Sequence, residues 1–464
     1  MTPIGKIPMP ETEDDLRPIS LTPFFSKVTE HFVVMWLLDY IGEKIDFRQY
    51  GGTRGNSITH YLIEFINFIL FNQDSSAPIA ILACMVDFSK AFNRQNHNLL
   101  VTKLSDMGVP AWLLKIVMAF LSDRNMIVRY KGKQSTPKYL PGGGPQGTLL
   151  GLLLFLVLIN DAGFDGQTNN TGEVITTKKN LKAANVIHLK YVDDLTLAES
   201  INLKDKLVYV PESERPLPDN FHAKTGHVLP IQDSQVLRQL QKTKEYSDKN
   251  EMMINKKKTK MMLFNPCRKW DFMPDFTLED QEINLVEEMK LLGVVIQSDM
   301  KWTSNTEAIV KKAFKRLWSM RRLSTMGADV EDLKDVYTKQ VRSLLELAVP
   351  AWQAAITKAE RQDIERVQKT AIHIMLGDGY KNYSDALEFV GLETLESRRQ
   401  KLCLKFAKKC VNHPKHTNWF KECTGKPNTR QEQTKYWPVY TDHDRYYRSP
   451  ISYLTRLLNE NDQK

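Results

Sequence analysis

Apolar residues early in the chain fall into runs of two kinds. From Ser26 to Ile41 and from Ser57 to Phe71 they recur every three or four positions: Val28, Phe32, Met35, Trp36 and Leu38, then Ile58, Tyr61, Leu62, Phe65, Phe68 and Ile69. That period predicts two amphipathic helices. Ile79 to Val86 is unbroken and ends at Asp87, as a buried strand would. Leu99–Leu121 is helical in pattern with a break at Gly108-Val109-Pro110, Ile127–Tyr130 suggests a strand, and the almost wholly apolar Thr148–Asn160 predicts a buried helix. Near residue 190 the period drops to two. Ile187, Leu189 and Tyr191 alternate with His188 and Lys190, and Leu195 and Leu197 flank Thr196. Two alternating runs either side of Tyr191-Val192-Asp193-Asp194 predict a β-hairpin with one buried face. Later come helical patterns over Ser234–Asn250, Asn305–Leu323, Asp332–Leu347, Lys358–Leu376 and Leu395–Cys410, with a basic strand region over Glu251–Phe264. The expected class is α+β with an all-α tail.

Composition narrows the partners. The chain has 464 residues, enough for two or three domains with sizeable cores, and its net charge of +9 suits a polyanion. Five cysteines without a CxxC pair argue against a disulfide framework or zinc ribbon and fit a reducing compartment. Cys403, Cys410, His413, His416 and Cys423 have no spacing expected of a structural zinc site, so they read as ordinary core and surface residues. The N-terminus lacks a signal-peptide pattern, and Leu149–Ile159 is too short to span a bilayer. A soluble intracellular protein of nucleus or cytoplasm, without a membrane partner, is expected.

Candidate chemistry starts at the hairpin. Adjacent carboxylates make each other harder to ionise, so Asp193 and Asp194 need a cationic neighbour. Alone, such a pair reads as a solvated turn. Asp87, at the end of a buried strand, has the stiff support that metal chemistry needs. Phe92, taken alone, reads as core. The loop Pro141-Gly142-Gly143-Gly144-Pro145-Gln146-Gly147 has neither a P-loop nor a Rossmann spacing; its glycines allow another chain or a base to come close to the backbone. Arg17, in Arg17-Pro18-Ile19-Ser20-Leu21, and Lys6 are cations able to bind phosphate.

Taken in order, these segments resemble a known family. RPISL, QYG at Gln49–Gly51, the apolar strand ending in Asp87-Phe-Ser-Lys-Ala-Phe, GGGPQG before an apolar helix, YVDD, Lys-Lys-Thr-Lys260 and Leu291-Leu-Gly-Val294 follow the sequence of a reverse transcriptase. The chain resembles the polymerase portion of a non-LTR, LINE-type retrotransposon of the jockey or CR1-like kind. The resemblance implies a right-hand polymerase: fingers and palm with an antiparallel sheet over 1–300, a helical thumb over 301–380 and a helical C-terminal region over 381–464. It implies RNA-directed DNA synthesis from dNTPs on an RNA template and a DNA or RNA primer. Asp87, Asp193 and Asp194 would hold two Mg²⁺ ions, with Mn²⁺ as a substitute. Such ions, about 3.5–4 Å apart, activate the primer 3′-hydroxyl and neutralise the leaving pyrophosphate. Arg17 and Lys6 match fingers cations over the triphosphate, Phe92 a ring under the sugar that excludes a 2′-hydroxyl, and Gln146 a contact to nucleotide and template. Either Lys258 or Lys260 would protonate pyrophosphate. Gly144, Pro145, Gly147 and Tyr191 would line the template and primer, and Leu292 and Gly293 the primer grip.

The chain departs from the family in places. Asn93 stands where aspartate is usual after KAF, and Gly151-Leu152 where Ser-Pro or Gly-Pro is common after PQG. Phe164–Val186 and Leu203–Gln232 read as polar insertions around the hairpin. On the predicted thumb helix, Lys311, Lys315, Trp318 and Arg322 share one face and would grip a duplex backbone. The chain opens inside the expected fingers with no endonuclease before it, which suggests a fragment of a longer element. The competing expectation is a truncated or domesticated relative that binds RNA without polymerising. The sequence does not disclose an oligomeric state.

Overall fold

A computed structural model describes residues 1–5, 9–12, 15–89, 91–140, 142–162, 185–214, 226–267, 270–274, 277–278, 281–423 and 434–462. Lys6 and nearly all of the first expected insertion lie outside them. In chain order the elements that frame the site are β1 (Thr2–Gly5), β2 (Leu16–Ile19), α1 (Phe24–Ile41), α2 (Ile58–Gln73), β3 (Ile79–Val86), α3 (His97–Asp106), α4 (Ala111–Leu121), α5 (Leu149–Leu158), β4 (Val186–Tyr191), β5 (Asp194–Asn202), α6 (Gln235–Lys249), β6 (Lys260–Phe264), β7 (Glu288–Leu291), β8 (Val294–Gln297), α7 (Thr303–Thr325), α8 (Lys358–Leu376), α9 (Leu395–Val411) and α10 (Pro450–Asp462).

The central sheet is antiparallel throughout, in the order β6-β3-β5-β4. Its central strand β3 is apolar at every position because both faces are covered. Ile81, Ala83 and Met85 enter the core shared with α2, while Ala80, Leu82, Cys84 and Val86 enter the core shared with α3, α4 and α5. The β4–β5 hairpin therefore departs from the one-faced expectation. Lys190, which alternation places on a solvent face, is 1% exposed, and Thr196 and Glu199 are also buried. The C-terminal end of α5 covers Lys190 and the start of α6 meets Glu199, while Thr196 lies on the opposite face, under Tyr61 of α2.

Burial of polar groups is offset by hydrogen bonds. Lys190 Nζ donates to the carbonyls of Ile159 (3.1 Å) and Asn160 (2.6 Å) and pairs with Asp46 at 2.9 Å. Glu199 accepts from the Ser234 hydroxyl and from the backbone N–H groups of Gln235 and Val236, an anion at the N-terminus of α6. Glu30 does the same for α5 through Leu150 N.

α1 shows the reverse of the expected facing. Val33, Leu37 and Ile41 are buried, whereas Val28, Phe32, Met35, Trp36 and Leu38 are exposed. The helix is apolar on most sides, so its period could not select the buried one. The predicted helix over Asp332–Leu347 is instead an α-helix at Val330–Val336, a π-helix at Tyr337–Arg342 and a short turn at Ser343–Leu345. Only Lys260–Phe264 of the basic strand region is a strand. Described residues of the second expected insertion join a sheet: Val208–Tyr209 pairs with His227–Leu229, which runs parallel to Phe272–Pro274.

One apolar core runs from Tyr50 and α2 through α7 and α8 to Leu454 and Leu458 on α10. Among the described residues no helix is long and apolar enough to cross a membrane.

Candidate active site

The hairpin tip is a two-residue turn, with Tyr191 paired to Asp194 across it. Val192 sits at φ +58°, a left-handed conformation that costs a β-branched residue energy and must be imposed by its surroundings. The mould is the segment Gln49–Gly51. The buried Gln49 side chain accepts from Val192 N at 2.9 Å and from Gly51 N at 3.0 Å through the same Oε1. Tyr50 N donates to Lys190 O (2.8 Å), and Lys190 N to Arg48 O (3.0 Å). Gly51 lies so close that a Cβ there would meet Val192 N at 2.6 Å and Val192 Cγ2 at 2.7 Å. The QYG segment thus shapes the hairpin tip.

The three aspartates converge on this tip. Val86 pairs with Leu195, so the register carried one residue further sets Asp87 opposite Asp194. Asp87 is held from its other side: Asn255 N donates to its carbonyl at 2.7 Å, and Lys258 Nζ lies 4.0 Å from its carboxylate. Burial, then Asp193 and Asp87, push Asp194 up to about 7. Burial and Asp87 also raise Asp193, against the pull of Arg17 and Lys258. Arg17, on β2, opposes the rise at both. Lys260 is elsewhere, inside β6 and paired with Met85.

A second group of segments meets beside the tip. Ser20 N donates to Gln146 O at 2.8 Å, tying β2 to the glycine-rich loop, and Gly147, at φ +96°, leaves room for Ile19. Gly144 N donates to Phe92 O at 2.7 Å, and a Cβ on Gly143 would lie 2.8 Å from Asn93 O. The close approach expected of these glycines is met by the protein's own Phe92–Gln95 segment. Pro145 O accepts from the Thr148 hydroxyl that caps α5. The Phe92 ring stacks on Phe155 with centroids 4.6 Å apart. Tyr191 packs edge-on to Tyr61. Leu292 and Gly293 form the positive-φ turn between β7 and β8. Lys311, Lys315 and Arg322 are exposed on α7, with Arg322 over the Trp318 ring.

Comparison with known proteins agrees with this order of segments. The family described as reverse transcriptase (RNA-dependent DNA polymerase) matches residues 7–296, more than half of the chain. The chain belongs to the reverse transcriptase family. Among its curated relatives are RNA-directed DNA polymerases of transposons and mobile elements. It is 23% identical over 372 residues to a probable RNA-directed DNA polymerase from transposon BS of Drosophila melanogaster, covering 78% of this chain and 36% of that protein. It is 26% identical over 195 residues to the RNA-directed DNA polymerase from mobile element jockey of Drosophila funebris, covering 42% and 20%. The chain thus spans about a third of the length of the first of these relatives. The apo telomerase of Candida tropicalis is similar with a TM-score of 0.38 and 12% identity, over 84% of this chain and 55% of that one. The family match and the mixed sheet-and-helix architecture give the chain a right-hand polymerase fold.

Several residues that build this site have roles that no motif in the sequence discloses: Gln49 and Gly51 as the mould of the tip, Lys190 and Asp46 beneath it, and the partners of Tyr50. Asn160 was a signal for the second of these, a polar residue closing an apolar helix. Its Oδ1 accepts from Asp46 N at 2.7 Å.

Proposed function

We propose that this chain is the polymerase core of an RNA-directed DNA polymerase, extending a primer 3′-hydroxyl with dNTPs on an RNA template. The observation that carries this reading is the set of three carboxylates, Asp87, Asp193 and Asp194, gathered where adjacent antiparallel strands end. Burial and mutual repulsion raise two of the three even with Arg17 and Lys258 beside them, so the protein's own cations compensate the cluster only in part. An all-oxygen donor set with this charge deficit fits Mg²⁺, which needs few protein ligands. Asp87, Asp193 and Asp194 would hold two such ions, which when bound supply charge neutralisation at the attacking and leaving oxygens.

The remaining roles fall to the chain itself. Arg17 and Lys258 approach the carboxylates and are suited to hold the triphosphate. Lys258 is favoured over Lys260 to give a proton to pyrophosphate, being exposed and near Asp87 rather than locked in a strand. Phe92, stacked on Phe155, would stand against the sugar, and Gln146 against the nucleotide and template. The exposed cations of α7 would hold the duplex backbone, and the Leu292–Gly293 turn the primer end.

Primer extension on poly(rA)/oligo(dT) with dTTP and Mg²⁺ tests the reading. DNA product is expected from the wild type, and Asp193→Asn should abolish it while leaving template–primer binding within about twofold, because phosphate contacts lie elsewhere. Template–primer binding without any wild-type extension would favour a non-polymerising RNA-binding relative.

A further inference from the structure

The mould that shapes the hairpin tip is held from behind by residues far along the chain. After α9 ends at Val411, the segment 413–419 enters the loop Gln49–Ser57. Lys415 Nζ stands 3.3 Å from the centre of the Tyr50 ring and 3.5 Å from Gln49 O. His416 stacks on the other partners of that loop: its ring is 5.9 Å from Tyr50 and 4.5 Å from His60, and its Nε2 pairs with Asn56 Oδ1 at 3.1 Å. His413 fills the space over Gly55, where a Cβ would lie 2.7 Å from its Nε2. Trp419 Nε1 donates to Glu64 Oε2 on α2 at 3.1 Å.

Tyr50 is 4% exposed and has little freedom to move. Its ring meets Tyr61, which meets Tyr191 and donates from its hydroxyl to Thr196 on β5. From Lys415 to the tip the route is therefore two contacts long. The ammonium touches Tyr50 and Gln49 O, and the Gln49 side chain holds Val192 N, next to Asp193. A cation over a desolvated aromatic face is worth more than the same pair in water, so Lys415 is a strong brace for this loop.

We propose that Lys415, seated with His416 against Tyr50, is a positioning residue for the catalytic hairpin, making the C-terminal segment part of the active-site scaffold. This rests on the polymerase reading above for its kinetic consequence but not for its structural one. Lys415 acts through Tyr50 and Gln49: it sets where Gln49 presents its oxygen and hence where the strained Val192 turn sits.

Two measurements on the full chain test it. Hydrogen exchange reports the Val192 amide directly, with or without activity. Lys415→Met should accelerate exchange of the segment containing Val192 by about tenfold or more, and Lys415→Arg, which keeps the cation on the ring, should restore protection. In primer extension at saturating template–primer, Lys415→Met should lower kcat on the order of tenfold, less than the 10²-fold of a full 1 Å misplacement, with KM for dTTP and duplex Kd within twofold of wild type. Unchanged exchange at Val192 would overturn the proposal. So would a fall in duplex affinity matching the fall in kcat, which would make Lys415 a phosphate contact instead. If wild type makes no DNA, the polymerase reading fails while the exchange result still decides this one.

Discussion

Replacing Gly51 by alanine tests how tightly the mould and the hairpin fit. The added Cβ would lie 2.6 Å from Val192 N, 2.7 Å from Val192 Cγ2 and 2.9 Å from Tyr191 C, where ordinary contact begins at 3.4 Å. The worst contact is thus about 0.8 Å too short. Two of the three atoms are backbone, so no side-chain rotation relieves it. Either the tip moves out by most of that distance, or the Gln49 loop retreats and loosens the bond from Val192 N to Gln49 Oε1. Both routes shift Asp193 and Asp194 relative to Asp87 by a sizeable fraction of an ångström. A misplacement of about 1 Å costs on the order of 10²-fold in rate, or about 2.7 kcal/mol of transition-state stabilisation. Overpacking should also lower stability by about 1–3 kcal/mol. The assay is kcat for dTTP addition, with thermal melting and template–primer Kd on the same preparation. Gly42→Ala is the control, because nothing lies within 4 Å of a Cβ there. Gly51→Ala with wild-type kcat and folding would refute the claim that the tip is moulded by this loop.

Four further outcomes are expected. Asp46 is buried, which alone would raise it, yet Lys190 and Arg48 hold it at about 2 against an ordinary 3.8; its stabilisation is present above pH 3.8 and lost as pH falls towards 2, about 2 kcal/mol in all. Asp46→Asn should therefore melt earlier than wild type at pH 7, with the gap narrowing from about pH 4 to about pH 2, and a pH-independent gap would contradict this. Phe92→Val should raise the ratio of kcat/KM for rNTPs over dNTPs, by at most about 10²-fold; a fixed ratio with falling activity would make Phe92 core only. Neutralising Lys311, Lys315 and Arg322 together should weaken duplex binding and flatten its slope of log K against log [salt], and an unchanged slope would return α7 to a solvated face. Gln95 is 2% exposed and neither amide atom has a hydrogen-bond partner among the described residues, so Gln95→Met should stabilise the fold by about 1–3 kcal/mol, read as a higher melting temperature, and a lower one would contradict this.

Local pattern and motif order carried the palm. The apolar run Ile79–Val86 is β3, the alternating runs are β4 and β5, and Lys358–Leu376 is α8 to the residue. These segments announce themselves because their period is set by their own backbone. What failed to show was every feature decided by a distant segment. Lys190 looked solvated because alternation counts positions, not the carbonyls of Ile159 and Asn160 that wait for it. α1 hid its buried side because apolar residues surround its axis. Val192 gave no hint of φ +58°, since a β-branched residue adopts it only under the constraint of Gln49. His60 lies hundreds of residues from Cys410, His413 and His416, yet its ring meets all three. Chain spacing could not gather that cluster.

The single core that joins α2 to Leu454 and Leu458 sets an order of events during synthesis. The strands bearing Asp87 and Asp193 leave the ribosome well before α10, so one face of α2 has no covering when they first pair. Non-local contacts of this span are slow to close, and the exposed apolar surface must wait for them. The covering of α2 is thus complete only after α10 is translated. A nascent chain holds its aspartates in sequence long before it holds them in place.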